Sequence, residues 1–87
     1  MGKHGRTLKA VQEVRANLSW SAVLSLLERL GAEITEGEGS RVRVALNGVR
    51  AVFHKPHPRD EMKRGAVASV RRFLAEAGIT EEQCDDL

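Results

Sequence analysis

Residues 39–58 read GSRVRVALNGVRAVFHKPHP, and their pattern decides the fold. Ser40 to Leu46 alternates polar and apolar residues at the period of two that a half-buried strand requires, and Val49 to His54 reads as the returning strand. Asn47-Gly48 between them suits a type I′ turn, which needs positive φ at both central residues. Lys55-Pro56-His57-Pro58 ends the second strand, since neither proline has an N–H for a ladder.

A two-residue turn also sets the register. Residues whose numbers sum to 95 must lie opposite each other, so Leu46 faces Val49, Val44 faces Ala51 and Val42 faces Phe53. These six are apolar and define a buried face. The other face pairs Ala45 with Arg50, Arg43 with Val52 and Arg41 with His54. Opposed Cβ atoms lie about 5 Å apart, and like charges at that distance repel. A bound counter-anion would relieve the repulsion; the bland alternative is a solvated face that discourages aggregation.

Outward from the hairpin, the pattern predicts helices on both sides. Thr7 to Val14 carries Leu8, Val11 and Val14 at helical spacing, while residues 1–6 read as a mobile start with a solvated His4. Asn17 and Ser19 are candidate caps for a helix whose face is Trp20, Val23, Leu24, Leu27 and Leu30, ending at Gly31. Ala32 to Glu36 reads as a short strand, and Gly37 to Gly39 as a turn. A last helix from Ala66 to Ala77 turns Val67, Val70, Phe73 and Leu74 inward and stops at Gly78, with Ile79 placed for a Schellman contact. The expected class is α+β: an α-β-β-β-α order with a three-stranded antiparallel sheet, plus an extra short N-terminal helix. That layout is double-stranded-RNA-binding-domain-like, although a layout alone does not establish function.

Composition bounds the rest. The 87 residues make one domain, 41% hydrophobic, with no apolar run long enough to span a membrane and no signal-peptide centre near the start. Cys84 is the only cysteine, which excludes an internal disulfide and suits a reducing, cytoplasmic setting. Charge is uneven: residues 39–72 hold nine Lys/Arg against Asp60 and Glu61, a net +7, so with a total of +2 the remainder carries −5. The acidic end, residues 81–87, either folds over the basic face or is solvated. Lys63-Arg64 and Arg71-Arg72 add two basic clusters to the hairpin's own, the footprint of a polyanion site. Phe53 and Phe73 are assigned to the core, so recognition of an RNA backbone fits better than base stacking.

The stretches "WSAVLSLLERLGAEITEGEGSRVRVAL" and "FHKPHPRDEMKRGAVASVRRFLAEAGI" together resemble the HicA (YcfA-like) toxins of type II toxin–antitoxin systems. A Trp-led helix ending in Leu-Gly, Gly-Ser before the second strand, a Pro/His element after the third and a helix ending Ala-Gly-Ile fall in order. The resemblance implies domain limits: an N-terminal extension at 1–18, a HicA-like domain at 19–80 and an acidic tail at 81–87. It implies an mRNA endonuclease held inactive by a HicB-type antitoxin. The family's catalytic residue is a histidine directly after Gly-Ser, and Arg41 stands there in this chain.

Arginine does not lose its proton and so can hold a phosphate but cannot act as general base. His54, across the ladder from Arg41, is the histidine available for that role; its structural alternative is a strand-end residue beside Arg41. The expected RNA contacts are Arg41, Arg43, Arg50, Lys55, His57, Lys63 and Arg64. His57 has an alternative role in ordering the loop. Asp60 and Glu61 are expected to occupy the turn and favour the helix that follows. His54, His57 and a distant Cys84 supply too few ligands for a metal, and no cofactor is implied. The alternatives to a toxin are a non-catalytic nucleic-acid-binding module and a protein adaptor using the same basic face.

Overall fold

A computed structural model describes residues 2–87. In chain order it contains α1 (Lys3–Gln12), β1 (Leu18–Ser19), α2 (Trp20–Arg29), β2 (Glu33–Glu36), β3 (Arg41–Leu46), β4 (Val49–His54), β5 (Glu61–Met62), α3 (Arg64–Glu76) and a C-terminal 3-10 helix (Glu81–Asp86). The main sheet is antiparallel, ordered β2-β3-β4, with the helices on one face. This is the α+β, dsRBD-like arrangement expected.

The hairpin has the register its turn dictates, from Leu46 opposite Val49 to Arg41 opposite His54. Asn47 and Gly48 both adopt positive φ, 50° and 82°, as a type I′ turn requires. The Asn47 side chain also anchors the turn, because its Nδ2 donates to the Ala77 carbonyl at the end of α3, at 2.9 Å. The inner face of the sheet sends Val42, Val44, Leu46 and Phe53 into the core. There Phe53 meets Trp20 and Phe73 edge-to-face, at centroid distances of 6.5 and 5.6 Å. All three aromatic side chains of the chain are consumed in this contact.

All three α-helices end in one motif. The residue after the C-cap has positive φ, and the next N–H reaches back to a carbonyl five residues earlier: Arg15 to Ala10, Ala32 to Leu27, Ile79 to Leu74. At α2 and α3 the left-handed residue is Gly31 or Gly78. At α1 it is Val14, with φ of 51°. A β-branched residue in this region is strained by about 1–2 kcal/mol. Val14 is partly buried and packed against the core, so Val14→Gly relieves the strain but loses some apolar contact, and the urea midpoint is expected to rise by the equivalent of no more than about 0.5–1 kcal/mol.

Three segments differ from the sequence expectation. The first helix starts at Lys3, not Thr7, so residues 3–6 are ordered helix and His4 is half-buried within it. Leu8 and Val11 of α1 are fully buried, and that anchorage recruits the preceding turn. The acidic end does not fold over the sheet: it packs on α1 as a 3-10 helix, while Glu81, Glu82, Asp85 and Asp86 themselves stay exposed to solvent. Its Cys84 side chain supplies the apolar contact, 3% exposed, and burial pushes the thiol pKa up, aided by the nearby Glu81 and Asp85 carboxylates.

Asp60 is the third correction. It serves α2, about forty residues earlier in the chain, and not the helix that follows it. Leu18–Ser19 pairs with Glu61–Met62 in a two-residue ladder, which brings the carboxylate to the start of α2. Ser19 Oγ donates to Asp60 Oδ2 at 2.8 Å, the Ser21 N–H donates to Oδ1 at 3.2 Å, and Ser19 Oγ accepts from the Ala22 N–H at 3.2 Å. A carboxylate at the positive end of a helix dipole is favourable. These bonds, that from the Ser19 hydroxyl foremost, hold the Asp60 pKa below the usual carboxylate range. A depressed folded-state pKa contributes stability above the unfolded value and loses it as pH falls through the acid range. The melting-temperature gap between wild type and Asp60→Asn is thus expected to be present at pH 7 and to close towards about pH 2, where the aspartate of wild type is also neutral.

Candidate nucleic-acid interface

The outer face of the sheet is a small grid. Glu33, Ala45 and Arg50 form one row; Thr35, Arg43 and Val52 form the next; Arg41 and His54 close the far end. Strand alternation puts all of them on the side away from the helices, because their neighbours Val42, Val44 and Phe53 are buried. At the Arg41 end the strand opposite is Gly37, whose N–H donates to the Arg41 carbonyl at 2.8 Å. Gly37 has no side chain to cover the guanidinium stem. On the other side the Lys55 N–H donates to the Ser40 carbonyl at 2.7 Å, extending the ladder one step beyond Arg41 and His54. This keeps their cross-strand pairing in register to the end of the sheet.

Arg41, Arg43, Arg50, His54, Lys55, His57, Lys63 and Arg64 are all exposed. The structure brings the first four onto one surface. Lys55 and His57 follow in the loop leaving β4. Lys63 is the N-cap of α3 and Arg64 its first residue; no side chain caps this end, and its first turn contains no acid. The α3 start and His54 line one depression, with Gly65 and Ala66 on its helical side. Arg72 lies further along α3, beside Arg50. Among the described residues the single ion pair is Arg15 with Glu13, so none of these cations is in direct contact with a carboxylate; Glu33 on the outer face and Glu76 beside Arg50 and Arg72 are the acids nearby. No group of His, Cys, Asp and Glu among the described residues is arranged to hold a metal.

Two further features complete the outer face. Glu33 shares the row of Arg50, visible only once β2 is paired with β3. Val52, at 54% exposure, is the one large apolar side chain on the surface among the described residues. Its position opposite Arg43 signals the exposure in the sequence, but its apolar character there has no explanation within the fold.

A family model described as the HicA toxin of bacterial toxin–antitoxin matches residues 20–79, well over half of the 87 residues. The chain belongs to the HicA toxin family. It is thus a toxin-type member of a bacterial toxin–antitoxin family. The span that carries the family match runs from α2 to the residue after Gly78, and holds the whole main sheet and every candidate residue above. Helix α1 and the 3-10 helix lie outside it, yet α1 places Leu8 and Val11 at 0% exposure in the common core. Neither the curated proteins nor the solved structures yield a match to this chain. Among the described residues, no helix is long and apolar enough to cross a membrane.

Proposed function

We propose that this HicA-family chain acts in the cytoplasm as an RNA-binding toxin controlled by a HicB-type antitoxin, with the outer sheet face as its RNA surface. The observation that carries the reading is the gathering of Arg41, Arg43, Arg50 and His54 on one exposed face with no carboxylate partner. Guanidinium forks match phosphate oxygens in charge and geometry. The uncapped start of α3, with Lys63 and Arg64, adds N–H donors and positive charge beside His54. With the aromatic side chains packed together in the core, the surface suits the backbone and shape of a structured RNA.

The chemistry follows from which groups can exchange a proton. Cleavage needs a base that takes the 2′-hydroxyl proton and positive charge for the phosphorane that forms when the 2′-oxygen attacks the adjacent phosphate. The P–O5′ bond then breaks, leaving a 2′,3′-cyclic phosphate, and the departing 5′-oxygen takes a proton from the protonated base. Arg41, where the family resemblance calls for histidine, supplies charge only. His54, one ladder step across, supplies the base. In this reading Arg41 clamps the phosphate and the two residues share the work of one site.

The test compares wild type, His54→Ala and Arg41→His on a structured RNA, measuring binding and cleavage separately. Wild type is expected to cleave, and His54→Ala to bind normally while its cleavage falls about 10²–10⁴-fold. Equal cleavage by His54→Ala removes that histidine from the mechanism. Cleavage by Arg41→His alone assigns the chain to the second reading, an RNA-binding module whose nuclease was lost with the histidine. Absence of RNA binding in all three would sink the RNA surface.

A further inference from the structure

We propose that the free edge of β4 is a strand-addition site, taken by an extended segment of the antitoxin in which two acidic residues flank three apolar ones. The antitoxin as source rests on the toxin–antitoxin reading above; the edge and its chemistry do not.

The backbone comes first. In a hairpin closed by a two-residue turn, the pair flanking the turn exchanges both of its bonds, and every second pair repeats this. Leu46–Val49, Val44–Ala51 and Val42–Phe53 are thus satisfied between β3 and β4. The N–H and C=O groups of Arg50, Val52 and His54 point the other way. β4 is the last strand of its sheet, and among the described residues no other backbone group bonds to those three. Natural edges of this kind are usually covered, bulged or shortened. This one is six residues long and regular.

Side chains leave room beside it. Two depressions run along the edge between β4 and α3, sharing Val52, Phe53 and Ser69. Beside His54 the helical wall is built from Gly65, Ala66 and Ser69, and nothing lies within 4 Å of where a Gly65 side chain would begin; beside Arg50 it is built from Ser69, Arg72, Phe73 and Glu76. A strand laid there would alternate faces with β4. Residues opposite Ala51 and Phe53 would face the groove floor and must be apolar. The residue opposite Val52 would cover its exposed side chain, and is apolar too. Residues opposite Arg50 and His54 would sit on the basic outer face, where carboxylates are favoured.

The same charges argue against other occupants. Two copies of this chain joined along β4 about Val52 would set Arg50 of each against His54 of the other, crowding basic groups together. The chain's own acidic end is packed on α1. Strand addition is a common route to affinity through main-chain bonds with side-chain selectivity, and a segment seated here would cover His54.

The probe is a capped heptapeptide, Thr-Glu-Val-Val-Val-Glu-Thr, titrated into the intact ¹⁵N-labelled protein. Binding with slowed exchange of the Arg50, Val52 and His54 amides is the expected result. Val52→Pro removes one outward N–H without touching a bond to β3, and edge positions tolerate proline; it is expected to weaken binding about tenfold. Val52→Ala keeps the donor and should retain most of the binding. In an antiparallel strand the peptide N–H groups that reach β4 are those opposite Arg50, Val52 and His54, so N-methylation of the two glutamates and the central valine tests the same bonds without altering the protein, and should abolish binding. Replacing both glutamates by lysine should do likewise.

Undiminished binding of the methylated or lysine peptide overturns the proposal, as does protection elsewhere than at β4. The structured RNA is titrated in parallel. Peptide binding lost while RNA binding persists overturns strand addition alone; the reverse overturns the RNA reading and leaves the edge assigned.

Discussion

Replacing Arg41, Arg43 and Arg50 together by alanine is expected to lower the affinity for structured RNA about a thousandfold, since each charge-assisted bond contributes at least about 1.5 kcal/mol. The three side chains are exposed and on one face, so their removal leaves no buried group unpaired. The urea midpoint should therefore move little. The variant should also show a shallower fall of affinity with salt, because fewer counterions are released on binding: roughly 0.7–0.9 of a logarithmic unit is lost from the slope for each phosphate contact removed. Filter binding at several salt concentrations gives both numbers. A variant that keeps the wild-type affinity and slope would locate the RNA surface elsewhere. A loss of affinity with unchanged slope would mean that the arginines act on the shape of the face and not on phosphates.

Leu8→Ala is expected to destabilise the protein by about 2–5 kcal/mol, the range for a fully buried leucine whose cavity cannot collapse. Leu8 lies in α1, outside the segment that carries the family match, and it is 0% exposed against the same core as Val23 and Leu74. On a domain of this size a loss of that order is a large part of the total. Urea unfolding followed by tryptophan fluorescence suits the measurement, as Trp20 sits in the core. A cost below about 1 kcal/mol would mean that α1 is an accessory and that the matched segment is stable without it. The expected cost makes the extension part of the folding unit, with the 3-10 helix clasping it from the other side.

How much of this is readable in the chain depends on the range of the forces involved. The hairpin is fully legible, because one Asn-Gly turn sets positive φ twice and a period of two then assigns every side chain to a face. The stops of α2 and α3 are legible for the same reason: Gly31 and Gly78 serve backbone geometry that few residues accept. Val14 takes the same conformation at α1 without the sequence signal, and hydrophobic spacing alone places the start of that helix four residues late. The basic candidates are readable as residues and as a register. The depression that joins His54 to the start of α3 is not, since it depends on the packing of α3 beside β4. Proximity in sequence assigns Asp60 to the wrong helix, because its true partner is brought close by a two-residue ladder that has no pattern of its own.

By itself the sequence determined the class, the strand register and the composition of the basic face, all of which follow from neighbours a few residues apart. Only the tertiary structure decided which edge of the sheet stays open, that the acidic end lies on α1 and not on that face, and that α1 belongs to the core. Those outcomes depend on apolar surfaces contributed from distant parts of the chain. Burial is non-directional, so its result is written in no single segment. The juxtaposition of Arg41 and His54 belongs to the first kind, and the open groove beside them to the second.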